Sequence, residues 1–433
     1  MLKKNNKKTI NAWCSFDAAN SVYNLIITSV LFPIYYKQVT QRAFGGDMVS
    51  IFGLSFKNTV LYDFTIAIGY AIVIFLTPLL SGIADMGGYR KRFMIFFTII
   101  GATACSSLYF FNGYNMEFGL ILIALAVVGW AGSFVYYNSF LPIIATPDRH
   151  NSISAKGFAW GYMGSMILFL LNIITIETWQ IWGFPNKLEA LRFSFLLVGI
   201  WWIAMAQIAF FNLKEYKGEF TFKTHLFAKG FQEIAKVFRN VIHMKTMNLF
   251  LVSFFFLSMG VQTVMLVAAL FGSSELGIGD SELIITVFLI QILAVVGSFT
   301  FAKVSNTLGN FVSLLIMLGI WVVICTIAYY VQTANQFYIL AAMVGLVMGG
   351  IQSQARATYS KLIPNDTIDT ASYFSFYDIT EKIGIVLGMF SFGLLEHITG
   401  NMRISIVMLS IYFVFAFLIL LYALIKKKQV VTS

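Results

Sequence analysis

Long apolar stretches alternate with short polar ones along the whole chain. Six apolar stretches fall at roughly 12 to 36, 60 to 84, 93 to 111, 117 to 144, 154 to 176 and 190 to 212. After a polar break, six more fall at roughly 247 to 271, 281 to 301, 311 to 331, 336 to 362, 370 to 395 and 403 to 425. A helix needs about 20 residues to cross a hydrocarbon core of about 30 Å, and each stretch approaches or exceeds that length. Backbone groups in lipid must be satisfied within the segment or in a closed barrel, and the continuous runs lack the period-two alternation of barrel strands. The pattern predicts an all-α membrane protein of about 12 transmembrane helices in two six-helix bundles, residues 1–212 and 247–433, joined by a linker at 213–246.

Composition agrees with lipid as the main solvent, since 59% of the 433 residues are hydrophobic and 11% are charged. The net charge of +10 does not point to a nucleic-acid partner, because the basic residues sit between the apolar runs, where topology signals belong. With the amino terminus in the cytoplasm, the inside holds Lys3, Lys4, Lys7 and Lys8, then Arg90, Lys91 and Arg92, then Arg149 and Lys156, the central loop, and Lys426, Lys427 and Lys428. The outside holds Lys37, Arg42, Lys57, Lys187, Arg192 and Arg403. Integration into the inner membrane with both termini cytoplasmic is therefore expected. The basic start is followed by a long run carrying Asp17 without a small-residue cleavage pattern, so it reads as a retained first helix. Cys14, Cys105 and Cys325 suggest no disulfide framework, and His150, His225, His243 and His397 show no metal-ligand spacing. No phosphate-binding Gly-x-x-x-x-Gly-Lys-Ser/Thr loop indicates ATP-driven pumping.

The linker carries Lys214, Lys217, Lys223, Lys229, Lys236, Arg239 and Lys245 among Phe227, Phe231, Ile234, Phe238 and Val241. Apolar positions at steps of four and three make an amphipathic helix that can lie on the anionic inner leaflet, or serve only as a tether.

The connection after the second span runs from Ser81 through Gly82, Asp85, Gly87 and Gly88 to Arg90, Lys91 and Arg92, and a weaker copy, with Asn306 in place of the acid, runs from Phe301 to Asn310. The first resembles the loop motif between the second and third helices of the major facilitator superfamily, although Met86 replaces a basic residue and the initial Gly is shifted by one. The resemblance implies that the acid meets a neighbouring helix terminus and the basic residues hold the halves in one of two alternating states. Phe16 to Ser21 with Phe32 to Tyr35, Tyr137 to Pro142, Gly157 to Tyr162, Gly349 to Gln352 with Arg356 and Leu362 to Pro364, and Phe374 to Tyr377 resemble a narrower branch. That branch is the bacterial relatives of the fungal autophagy-related vacuolar amino-acid effluxer, and it implies amino-acid export.

An ionisable side chain at membrane depth costs at least about 2.5 kcal/mol, so each one is a candidate for function. Asp17, Asn20, Asn24, Thr28 and Tyr35 form one stripe at 100° per residue, facing either a water-filled cavity or another helix. Asp378 and Lys382 are four apart and can pair, which leaves Glu381 over as a proton-coupling candidate, because burial and a neighbouring like charge both favour a bound proton. The same three residues can instead form a neutralised cluster closing the cytoplasmic side. Arg356 can pair with Asp17 as a gate or attract a substrate carboxylate. Gln291, Gln262, Tyr70 and Asn138 add neutral hydrogen-bonding groups, either to a cavity or as helix packing. Gly157 and Gly161 give a small-residue spacing for helix contact, but the expected proline of an antiporter signature is missing.

The expectation is a secondary active transporter, not an enzyme, moving a small solute by alternating access, with amino acids as the cargo the resemblance implies. Its pathway residues are Asp17, Asn20, Asn24, Thr28, Gln291, Arg356, Asp378, Glu381 and Lys382, and its conformational loop is Gly82, Asp85, Gly88, Arg90, Lys91 and Arg92. No cofactor is expected beyond a proton or sodium gradient. The expected partners are a small-molecule substrate and the bilayer, and the chain is expected to be a monomer. A non-transporting receptor or scaffold on a transporter fold, or a lipid or drug exporter, is the competing reading.

Overall fold

The computed structural model describes residues 4–51, 53–215, 226–365 and 367–432. Among them, twelve helical runs are long and apolar enough to cross a membrane. The first six are Lys7–Phe44, Asn58–Gly87, Arg90–Phe110, Met116–Ile144, Pro147–Glu177 and Lys187–Asn212. The second six are Lys245–Ala268, Ser281–Leu308, Asn310–Ala328, Ala334–Leu362, Thr370–Thr399 and Met402–Lys426. They are numbered here as spans one to twelve. Of the basic and apolar positions noted in the sequence, Lys3, Lys217 and Lys223 lie outside the described residues, as do the side chains of Phe227, Lys229, Lys427 and Lys428.

Each half has its own apolar core. Trp13, Phe32, Phe97, Phe169 and Trp202 share one, and Phe250, Phe301, Trp321, Tyr359 and Phe413 share the other. Outward faces are equally apolar, with Phe75 and Phe211 each 81% exposed, as lipid contact requires. Lipid tails are as apolar as these side chains, so association depends on close packing rather than on escape from water. Spans eight and ten show how this is met. A Cβ on Gly349 would collide with the Ala294 carbonyl oxygen, and one on Gly345 would lie 2.6 Å from that of Ile290.

Three features depart from the sequence pattern. The first span is longer than expected and is not uniformly α: Tyr23–Val30 forms a π-helix between α-helices Lys7–Val22 and Leu31–Phe44. A two-stranded antiparallel hairpin, Met48–Ile51 with Leu54–Lys57, follows it. The linker holds a helix at Leu226–His243, and this helix is docked rather than free. Its Val237 and Val241 are buried in the core of the second half, and Phe238 stacks on Phe376 of span eleven with ring centroids 5.7 Å apart. The start of span one, the end of span twelve, the loop at Arg90–Arg92 and this helix share one end of the bundle, called here the basic end. The β-hairpin marks the other.

Candidate functional site

A central cavity of about 150 Å³ opens between the halves, lined by spans one, two, four and five on one side and seven, eight, ten and eleven on the other. Asp17, Asn24 and Thr28 line it from span one, and Asn24 and Thr28 belong to the π-helix. Gln291, Gln262, Tyr70, Asn138, Arg356 and Glu381 line it as well. Asn20 instead turns into the first half, where it accepts from Ser133 at 3.3 Å, and Tyr35 donates to the Phe111 carbonyl. The expected five-residue stripe is thus broken. A π-turn advances fewer degrees per residue than an α-turn, which moves Tyr35 out of phase with Asp17, whereas Asn20 precedes the π-helix and already lies at the edge of a stripe counted at 100° per residue.

The floor of the cavity, toward the basic end, is a buried ion pair between the halves. Arg356 Nη1 lies 3.1 Å from Asp17 Oδ2, and both side chains are 1% exposed. The other guanidinium donors are also occupied: Nε by Ser154 Oγ at 2.9 Å, Nη2 by the Ser154 carbonyl at 2.9 Å, and Nη1 additionally by Asn138 at 3.2 Å. Tyr137 donates to Asp17 at 2.9 Å. The guanidinium plane sits over Phe158 at 4.1 Å and Trp13 at 4.8 Å. Gly157 makes room for this arrangement, since a Cβ there would lie 2.8 Å from Arg356 Nη2 and 3.0 Å from Asp17 Oδ2. Ser154 and Trp13 carry no charge and were not singled out from the sequence; only their place one turn from Gly157 or Asp17 could have marked them.

On span eleven, Lys382 Nζ lies 3.1 Å from Asp378 and 2.9 Å from Glu381. The expectation that one acid would be left over is therefore corrected: a single buried ammonium bridges both. It also lies 5.0 Å from the Trp130 ring centre of the opposite half. Glu381 accepts from Gln262 at 3.2 Å and faces the cavity, while Asp378 and Lys382 lie behind it.

Below the ion pair, two loops cross between the halves in matching fashion. Gly88, at φ +68°, ends span two, and Asp85 just before it accepts from the Ala371 and Ser372 N–H groups at 3.1 and 2.7 Å. These are free N–H groups of the first turn of span eleven, where a helix dipole favours an anion. Arg90 binds Asp85 at 2.7 Å and reaches the Ile368 carbonyl. Gly82 is buried in the last turns of span two. Lys91 and Arg92 do not cross, contrary to expectation: their N–H groups donate to Glu215, whose carboxyl is pushed up by burial. In the second half, Asn306 and Asn310 bond to Asn151 of span five, the latter reciprocally at 3.1 and 2.8 Å. Outside the spans, Lys236 of the linker helix lies 2.6 Å from Glu233 and 3.5 Å from Asp369. Its hydrogen bond to Glu233 holds its ammonium above the ordinary value.

A family model described as "Vacuole effluxer Atg22 like" matches residues 5–431. The MFS-type transporter YxiO of Bacillus subtilis is 29% identical over 424 residues, covering 97% of this chain and 95% of that one. Autophagy-related protein 22 of Saccharomyces cerevisiae is 24% identical over 425 residues, covering 85% and 77% respectively. Among solved structures, the proton:xylose symporter XylE superposes with a TM-score of 0.71 at 10% identity, covering 95% and 94%. The human organic anion transporter MFSD10 superposes with a TM-score of 0.70 at 12% identity, covering 96% and 100%. These two likenesses show the major facilitator fold.

Proposed function

We propose, from the premise that the chain belongs to the Atg22-like vacuole effluxer family of the major facilitator superfamily, that it carries a small solute across the membrane by alternating access. The observation that supports this reading best is the buried Asp17–Arg356 pair, whose partners come from opposite halves and sit at the floor of a cavity that both halves line. An ion pair whose partners separate when the halves part is a two-state element, stable closed and hydrated open. The basic end, whose excess of Lys and Arg supports a cytoplasmic orientation, is closed here by that pair and by the two crossing loops beneath it.

Coupling is proposed at Asp378, Glu381 and Lys382. Two carboxylates around one ammonium leave a surplus negative charge that the surrounding apolar helices disfavour, and Glu381 is the member of the three that faces the cavity. The family description names an effluxer, and amino acids remain one candidate cargo. The test is uptake of a metabolite panel into proteoliposomes with an imposed pH gradient. At least one solute should accumulate, and Glu381→Gln should abolish the gradient dependence. Unchanged dependence in that variant rejects the coupling role, and no flux of any solute favours a receptor or scaffold instead.

A further inference from the structure

We propose that the linker helix Leu226–His243 is a membrane-surface latch: one side docks on the protein, another on anionic phospholipid of the cytoplasmic leaflet, and this lipid holds the basic end closed. The inference concerns the closure and does not depend on what the cavity carries.

The helix has three sides. Val237 and Val241 are buried against the second half. Gln232, Arg239 and His243 are exposed and polar. Between these two sides, at 100° per residue, Phe231, Phe238 and Ile242 fall within about 40° of one another. They are 62%, 50% and 46% exposed, although part of the Phe238 ring reaches Phe376. A helix that docked only on its own chain would present polar residues there, and a solvated tether would have no such stripe. Protein on one side, water on the other and an apolar stripe between them is how an interfacial helix lies in a headgroup layer.

Connectivity sets its depth. Met244 alone separates His243 from Lys245, the first residue of span seven, so the helix ends where the chain enters the membrane. Charge sets the kind of lipid. Arg239 and Lys245 are exposed, and neither forms an ion pair among the described residues. The acids nearby are occupied, Glu233 by Lys236 and Glu215 by the N–H groups of Lys91 and Arg92. Anionic phospholipid supplies the phosphates that the two cations lack, each cation near such a surface being worth about fivefold in affinity. Their long stems reach the headgroups past the apolar stripe.

The same helix touches the closure of the basic end. It packs along span two of the first half and span eleven of the second. Lys236 lies 3.5 Å from Asp369, and Phe238 stacks on Phe376. Those two contacts bracket Ala371 and Ser372, whose N–H groups hold Asp85 of span two, and the Ile368 carbonyl that takes Arg90 immediately precedes them. Lipid that fixes the linker helix therefore supports the helix start that span two grips. A leaflet that engages the helix better in the closed arrangement shifts the population toward it by that difference in affinity.

The test uses full-length protein, one copy per nanodisc, in phosphatidylcholine with or without phosphatidylglycerol. The native cysteines are buried, so spin labels can be placed at Phe231→Cys, at Ile242→Cys and, as a water-facing control, at Gln232→Cys. The first two labels should collide with dissolved oxygen more than with a water-soluble nickel chelate, and the third should do the reverse. In a second reading, the distance between labels at Lys8→Cys and Thr307→Cys is measured with Asp17→Asn present, which weakens the closure. Phosphatidylglycerol should raise the closed-to-open ratio severalfold, and high salt should reduce the effect. Arg239→Gln together with Lys245→Gln should remove it.

Contact of the first two labels with the nickel chelate in both lipid mixtures overturns the inference. So does shielding from both reagents, which would mean that protein covers the stripe. A closed-to-open ratio that ignores phosphatidylglycerol, or that responds equally in the double variant, overturns it as well.

Discussion

At the scale of single residues, the site depends on charges that the bilayer tolerates only in partnership. Removing one member of a buried ion pair costs about 3–5 kcal/mol because the other is left uncompensated. Asp17→Asn and Arg356→Met should each lower the unfolding midpoint in detergent markedly, and the double replacement should recover much of the loss. Additive losses would mean that the two side chains do not act as a pair. Gly157→Ala tests the space around them: its methyl must displace Arg356, Trp13 or Asp17, and overpacking of this kind costs about 1–3 kcal/mol. The expected outcome is lower thermal stability and slower transport, and a variant identical to the parent would show that the contact is looser than described. The charged members of the site were legible in the sequence because a charge inside an apolar run announces itself. Ser154, Trp13 and Gly157 were not legible in their roles, since a small or aromatic residue in a membrane helix is ordinary until its neighbours are known.

Helices and loops add a second level of control. Asp85 binds the first turn of span eleven, and Asn306 with Asn310 binds the first turns of span five, so each half grips the start of a helix in the other. Asp85→Asn should weaken the first grip and raise the reactivity of cavity-facing positions to thiol reagents from the basic end, read with a cysteine placed at Ser258. Cross-linking Asn151→Cys to Asn310→Cys should stop transport reversibly, and undiminished flux in the linked protein would exclude any parting of these loops. The loop after span two was visible in the sequence as a Gly-rich turn with an acid and a basic cluster, and its weaker copy was visible half a chain later. The destination of each basic residue was not, because Arg90 crosses to Ile368 whereas Lys91 and Arg92 lie against Glu215 through their backbone N–H groups, with the Arg92 guanidinium 3.9 Å from the same carboxylate. The π-helix was illegible for a related reason. Nothing in the residues Tyr23–Val30 marks a change of helical pitch, and a stripe counted at 100° per residue drifts once the pitch changes.

For the whole molecule, the twelve apolar runs and their division into six and six follow from hydrophobicity and length alone, since lipid leaves few alternatives to a helix. How the halves meet is a property of the assembled fold. The hydrogen bonds and ion pairs that join the two halves among the described residues run from the cavity floor to the basic end. The floor and cavity walls also hold polar contacts, Tyr162 donating to Gln352 at 2.6 Å and Lys382 lying over Trp130, whereas Phe169 packs on Phe288 at 5.3 Å farther toward the hairpin end. A molecule that works by alternating access must exchange this polar closure for one at the hairpin end. The three native cysteines are buried, so spin labels can be directed to introduced ones. The most direct measurement is pulsed electron spin resonance in nanodiscs on two label pairs, Lys8→Cys with Thr307→Cys at the basic end and Tyr114→Cys with Tyr330→Cys at the hairpin end. Adding Asp17→Asn should lengthen the first distance and shorten the second. Both distances unchanged, or both moving in the same direction, would contradict alternating access.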